Sequence, residues 1–302
     1  MCETCGCGGG ETTLIDLQTG ARTLLEQQPI PPQETATEHV HGHFHPDGSY
    51  HEHDHSHDHE HEHHEHEHHE HDHVHRAAPT TVVELNARIL AKNDTAAGRN
   101  RAWFSGREIL ALNLMSGPGA GKTTLLERTI ADLKERQKLF VLEGDQATDN
   151  DGERVKAAGA AAVQINTGSG CHLDAEMVAR GLAMLKPEFG SLLLIENVGN
   201  LVCPALFDLG ERKRVAILSV TEGDDKPLKY PHMFRAADLL LLNKIDLLPY
   251  VDFEIARATA NARQINPGIE VMSVSARTGE GMGEWEQWIA KVQKDARTGA
   301  FR

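Results

Sequence analysis

Nine consecutive residues, Ser116-Gly117-Pro118-Gly119-Ala120-Gly121-Lys122-Thr123-Thr124, have the types and spacing needed to hold a phosphate chain. Glycines at this density let successive backbone N–H groups turn inward onto an oxyanion, and a helix N-terminus behind them adds a favourable dipole. The amides of Gly117, Gly119, Ala120, Gly121 and Thr124 would form the cradle. The Lys122 ammonium would bridge the β- and γ-phosphates, and the Thr123 hydroxyl would ligate Mg2+. The pattern's first glycine is Ser116 here, a position that a small residue can occupy. A glycine-rich strand–helix turn with no ligand would not explain Lys and Thr in register.

Further along, Glu196-Asn197-Val198-Gly199 ends an apolar run. A carboxylate there can hold Mg2+ through water while the Gly199 amide senses the γ-phosphate. Asp145 is a second candidate carboxylate, and Lys122, Thr123, Asp145 and Glu196 form the expected catalytic set. Acids at strand ends are often simply solvated, so the roles of the two carboxylates stay open. Base choice is read from Asn243-Lys244-Ile245-Asp246. The Asp246 carboxylate can accept from guanine N1–H and N2–H2, whereas adenine would leave that charge unpaired. Asn243 and Lys244 would brace the loop and cover the base. Ser275 and Ala276 stand where a backbone amide can meet guanine O6. GTP with Mg2+ is the expected ligand.

A second chemistry is metal ligation. Cys2, Cys5 and Cys7 place three thiolates within six residues, beside the α-amine. Such donors suit a four-coordinate, often square-planar ion such as Ni2+; Zn2+ also suits sulfur-rich sites and is the default from the residues alone. Cys171 and His172, with Cys203 beyond Gly199, offer two more thiolates and an imidazole. A buried cysteine is more often inert packing, so spacing alone leaves this cluster open. Eighteen of the twenty histidines lie between His39 and His75, alternating with Asp and Glu. A tract of this kind would bind several borderline ions weakly, and protons compete for it below about pH 6.5.

These residues need rigid elements to hold them. From Thr80 onward, short apolar blocks alternate with helical patterns, as expected for a mostly parallel sheet covered on both faces. Strands are expected at Leu110–Ser116, Leu139–Glu143, Ala162–Ile165, Leu192–Glu196, Val215–Val220, Leu239–Leu242 and Glu270–Val274. Helices are expected over residues 81–104, Lys122–Arg136, Asp174–Leu185, Phe253–Ile265 and Met282–Lys294. Three regions follow: a cysteine motif at 1–10, a disordered spacer and histidine tract at 11–78, and a nucleotide-binding α/β domain at 79–302.

Charge is divided just as sharply. Residues 1–75 hold sixteen acids and one base, and the remainder is balanced, so the whole net charge of −15 sits in the first quarter. A balanced body shows no footprint for nucleic acid, and the acidic leader would repel phosphate backbones and anionic lipid. No basic, apolar leader and no 18-residue apolar run are present, so no export or membrane insertion is expected. Five cysteines, an odd number, argue for reduced thiols and a cytoplasmic location.

The combination resembles the HypB family of nickel-handling accessory GTPases. The matching pieces are the amino-terminal Cys-x-x-Cys-Gly-Cys, the phosphate loop, Glu-Gly-Asp-Gln-Ala-Thr from Glu143 and Asn-Thr-Gly-Ser-Gly-Cys-His-Leu-Asp from Asn166. Glu-Asn-Val-Gly-Asn-Leu-Val-Cys-Pro from Glu196 and Asn-Lys-Ile-Asp complete them. The match covers 1–10 and essentially all of 80–302, and the histidine tract is similar to that of nickel-storing members. The resemblance implies a P-loop NTPase of the signal-recognition and MinD-like class and a homodimer tightened by GTP. It further implies delivery of nickel to the hydrogenase large subunit with a HypA-type metallochaperone as partner. It also implies that Cys171, His172 and Cys203 are metal ligands. The urease accessory GTPase is the nearest rival, but it shows Cys-Pro-His and lacks the amino-terminal motif. A storage protein with a vestigial nucleotide site is a rival of another class, opposed by the complete nucleotide motifs.

Overall fold

The computed structural model describes residues 12–25, 41–44, 50–53, 82–145, 150–168 and 170–297. Chain order is β1 (Thr12–Asp16), β2 (Arg22–Leu25), β3 (His41–Phe44), β4 (Tyr50–His53), α1 (Val82–Gly106), β5 (Leu110–Ser116), α2 (Lys122–Leu133), β6 (Leu139–Asp145) and α3 (Asn150–Ala158). There follow β7 (Ala161–Asn166), α4 (Ala175–Leu185), β8 (Leu192–Glu196), α5 (Cys203–Leu206), β9 (Lys213–Ser219), α6 (Lys226–Lys229) and α7 (Pro231–Ala236). The chain closes with β10 (Leu239–Asn243), a 3-10 turn (Ile245–Tyr250), α8 (Ile255–Ile265), β11 (Glu270–Ser273) and α9 (Met282–Arg297).

One sheet runs in the order β11-β10-β9-β5-β8-β6-β7-β1-β2, with β5 to β11 parallel throughout and β1 and β2 antiparallel at one edge. Every residue of β5, β8 and β10 is buried, which is why these strands read as continuous apolar blocks. Alternate side chains separate into two layers. Leu192 and Leu194 join Leu125, Ile130 and Trp285 on the α2/α9 face, while Leu193 and Ile195 join Val178 and Leu182 of α4 on the other. Trp285 buries its ring against α2 and satisfies its N–H by donating to Thr129 Oγ1 at 2.9 Å. The helix behind the phosphate loop is thereby fixed from its far side.

The expected strands and long helices are present, with ends moved by a few residues. α2 stops at Leu133 instead of Arg136 because the chain turns there, Arg136 N donating to Leu133 O at 2.8 Å. No helix is expected from the sequence at the polar α3, where Val155 is the one buried side chain among the described residues 154–158. The larger difference lies at the N-terminal side. Residues 12–25, expected to belong to the spacer, form a hairpin on the sheet, with Thr13 opposite Asn166 and Asp16 opposite Val163. Thr12, Leu14 and Ile15 are buried there. Five residues with only Leu14 and Ile15 apolar are too short a signal to stand out beside a polar tract, yet β7 offers them an edge to pair with. β3 and β4 form a separate antiparallel ladder, His41 opposite His53, within a second unit spanning Glu26–Thr80. The remainder of the histidine tract lies outside the described residues.

The hairpin gives a direct expectation for stability. Leu14 is 3% exposed and packs with Val163, Ile165 and Leu182. Leu14→Ala should cost about 2–4 kcal/mol by lost burial and a residual cavity. Urea unfolding followed by tryptophan fluorescence would show it; an unchanged midpoint would mean the hairpin is not part of the cooperative unit.

Candidate functional site

The phosphate loop leaves the end of β5 at the centre of the sheet, where one neighbour is β8 and the other β9, so loops diverge to both sides and leave a crevice. Gly121 caps α2 with φ +91°, a left-handed conformation that favours glycine. A Cβ at that position would also lie 2.7 Å from Asn243 Nδ2. The bare glycine lets the Asn243 carboxamide, 1% exposed, donate to Ala120 O at 3.0 Å and accept from Ala276 N at 3.4 Å. Lys244 Nζ donates to Gly119 O at 2.7 Å. The phosphate loop and the base loop are thus one braced body.

Asp246 lies in the first turn of the 3-10 segment, and its Oδ1 accepts from Ser275 Oγ at 2.6 Å. This bond orients a half-buried carboxylate beside Ser275 and Ala276, the pair expected to face guanine O6. On the phosphate side, Lys122 Nζ donates to Ser116 Oγ at 2.9 Å, so the residue that departs from the glycine pattern holds the lysine. Thr123 Oγ1 donates to Glu196 Oε1 at 3.0 Å. A hydroxyl and a buried carboxylate meeting at the phosphate loop are hard oxygen donors of the kind Mg2+ takes, so the residues present fit that ion. Asp145 stands one strand over, two residues past Glu143, which lies opposite Glu196 in the β6/β8 register. Thr124 Oγ1 accepts from Arg154 Nη2 at 3.3 Å, with Arg154 also paired to Glu127.

The Glu196–Gly199 turn runs directly under the loop. A Cβ on Gly199 would be 3.5 Å from the Pro118 backbone and 3.6 Å from Lys122 Nζ. One on Gly117 would meet Glu222 Oε1 at 2.9 Å and Leu201 Cδ2 at 3.4 Å. The segment that carries Cys203 therefore touches the segment that carries the lysine. Glu222 was not singled out from the sequence, because no motif marks it.

Cys171, His172 and Cys203 come together, their candidate ligand atoms all within 4.8 Å of one another. Ligands about 2.3 Å from a tetrahedral ion would sit about 3.8 Å apart, so the cluster needs only a small contraction. Several features hold it. The loop before it is closed by Thr167, which takes Gly170 N at 2.9 Å on its carbonyl and donates its hydroxyl to Gly170 O at 2.7 Å; Asp145 O accepts Thr167 N at 2.8 Å. Leu173 is buried against Gly144, where a Cβ would come within 2.7 Å of its side chain. Asp174 caps α4 by accepting from Met177 N at 2.7 Å. α1 fixes the same helix start, with Asn93 Oδ1 accepting Ala175 N at 2.9 Å and Asn100 Nδ2 donating to Ala175 O at 2.8 Å. The His172 ring stacks on Phe207 with centroids 3.9 Å apart. Burial lowers the His172 pKa, partly offset by Asp174, so the ring stays neutral and able to ligate at lower pH than a free histidine. Cys2, Cys5 and Cys7 lie outside the described residues. Among the described residues, no helix is long and apolar enough to cross a membrane.

Comparison with known proteins bears on the family and the fold. Residues 111–273 match the family model for the CobW/HypB/UreG nucleotide-binding domain. The chain is 61% identical to the hydrogenase maturation factor HypB of Azotobacter vinelandii over 210 residues, 70% of this chain and 69% of the relative. It is 46% identical to that of Escherichia coli K12 over 289 residues, 96% of this chain and 98% of the relative. Among solved structures, HypB from Helicobacter pylori in complex with nickel superposes with a TM-score of 0.65 at 36% identity, covering 68% of this chain and 96% of that one.

Proposed function

The chain belongs to the HypB family of hydrogenase maturation factors and has its P-loop GTPase fold, and on that premise we propose that it is a GTP-hydrolysing nickel metallochaperone. The observation that carries the proposal is that Cys171, His172 and Cys203 form one cluster and that the segment leading to Cys203 contacts the phosphate loop. GTP is held by the 117–124 loop and by Asn243, Lys244, Asp246, Ser275 and Ala276. Mg2+ would be held by Thr123 and Glu196, with Asp145 at the end of the adjacent strand, and would supply charge neutralisation on the phosphates. Lys122 meets the γ-phosphate, and Gly199 reports its presence. Nickel is the cargo, and Zn2+ is the competing ion for the same thiolates.

Three protein ligands leave a fourth position, which a second copy of the chain can complete in a GTP-tightened homodimer. A GTP-driven shift of residues 197–203 changes the hold on nickel and releases it toward a HypA-type metallochaperone or the hydrogenase large subunit in the cytoplasm. Cys2, Cys5 and Cys7 form a further nickel site, and the histidine tract stores additional ions.

The test is nickel stoichiometry and affinity on the untagged protein beside a deletion of residues 38–76 and a Cys2/Cys5/Cys7→Ser variant. GTP hydrolysis, and transfer to metal-free hydrogenase large subunit, are followed in parallel. The deletion should lose most ions yet keep tight nickel, hydrolysis and transfer. Transfer that proceeds equally with GDP would overturn the delivery reading, and an unchanged ion count would overturn storage.

A further inference from the structure

Asn197 is 1% exposed and joins the nucleotide side of the molecule to the metal side. Its Oδ1 accepts from two backbone amides on different segments, Leu173 N at 3.1 Å and Val198 N at 3.0 Å. Its Nδ2 donates to Asn113 Oδ1 at 3.3 Å, and its own N–H donates to Leu114 O at 3.1 Å. Asn113 Nδ2 donates in turn to Glu211 Oε1 at 3.1 Å, and Glu211 is anchored by Arg214 Nε at 2.6 Å and Leu209 N at 2.7 Å. The carboxamide is therefore fixed in rotation, with its oxygen shared between the residue after His172 and the residue before Gly199.

We propose that Asn197 is a positioning residue that makes the metal affinity of Cys171, His172 and Cys203 depend on the bound nucleotide. The inference rests on reading that cluster as the nickel site. A buried amide cannot let go of its acceptor without being left unsatisfied, so the two segments bonded to one oxygen move together. When Gly199 adjusts to the presence or absence of a γ-phosphate beside Lys122 and Pro118, Val198 N moves with it. The shared oxygen passes the displacement to Leu173 N, and hence to His172 and Cys171. Cys203 is carried by the same turn from its other end, held through Asn200 Oδ1, which accepts Val202 N at 2.8 Å and Cys203 N at 3.4 Å. Both halves of the cluster are thereby driven from one place.

The experiment uses the full chain with Cys2, Cys5 and Cys7 replaced by Ser. Nickel is titrated by the thiolate-to-metal charge-transfer band, which ignores imidazole-bound ions, with GDP or a non-hydrolysable GTP analogue and Mg2+. In this parent the two nickel affinities should differ by about fivefold or more, the usual scale of coupling between two sites. Asn197→Ala should bring the ratio within about twofold of one while the band and GTP binding persist. Asn113→Ala removes the prop but leaves both shared amides on Asn197, and should keep the ratio. A merely structural role would weaken both affinities and leave the ratio of the Asn197→Ala variant intact, which overturns the inference; loss of the ratio in Asn113→Ala does the same. If Asn197→Ala does not fold, Asn197→Ser, too short to reach both amides, carries the same expectation. Absence of the band in the parent would refute the nickel reading of the cluster itself. A band with equal affinities would leave that reading standing and refute the coupling.

Discussion

Asp246→Asn should lower GTP affinity by about two to three orders of magnitude and raise affinity for xanthosine triphosphate. Guanine offers two donors, N1–H and N2–H2, to the two oxygens of one carboxylate. Hydrogen bonds to a charged partner contribute about 1.5–3 kcal/mol each, and each 1.4 kcal/mol is tenfold in affinity. Half-burial of Asp246 argues for the lower part of that range. An asparagine presents one donor and one acceptor, so it clashes with the guanine amino group but pairs with xanthine, whose C2 carries a carbonyl oxygen and whose N1 keeps its proton. The loop should survive the change, because the amide oxygen can still accept from Ser275 Oγ, now 2.6 Å away, and because Asn243 and Lys244 brace the phosphate loop independently. Competition binding with GTP, ATP and the xanthine nucleotide gives the answer. A variant that keeps GTP affinity within about threefold would show that the base is chosen elsewhere.

This part of the molecule was legible because its chemistry is local. The phosphate loop and Asn243–Asp246 are short runs in which residue type and spacing define the geometry, and the strands before them are unbroken apolar blocks. What escaped was long-range. Nothing in the sequence distinguishes Asn197 from its neighbours in Glu-Asn-Val-Gly, since its role comes from Leu173, which is distant in sequence and adjacent in space. Asn93 and Asn100 sit in a helix that reads only as amphipathic, yet both are buried because they hold the start of α4. The β1–β2 hairpin was lost for a different reason: five residues of strand are convincing only when an edge to pair with is already known. The cysteines show an intermediate case. Spacing made Cys171, His172 and Cys203 a possibility, the family resemblance made it an expectation, and the fold supplied the contact between loops that spacing could not.

Cys203→Ser should weaken nickel binding at this cluster by about 100-fold or more while leaving GTP affinity nearly unchanged. A serine hydroxyl keeps its proton at neutral pH and is a hard donor, so the ion loses one of two thiolates, and the remaining Cys171–His172 pair is left with two open positions. The nucleotide side is spared because the phosphate loop meets this segment through Leu201 and Gly199, not through the sulfur. The protons give an independent check. Nickel must displace protons from whichever ligands carry them, so binding releases protons and weakens as pH falls. His172, whose pKa is lowered by burial, is already neutral near pH 7 and contributes little to that release. Metal-bound sulfur is thiolate, so a ligand set with one thiol fewer should release fewer protons per ion than the unaltered cluster. Calorimetry in buffers of different ionisation enthalpy, on chains with Cys2, Cys5 and Cys7 already replaced, measures both quantities at once. Equal proton release in the two proteins would remove Cys203 from the ligand set.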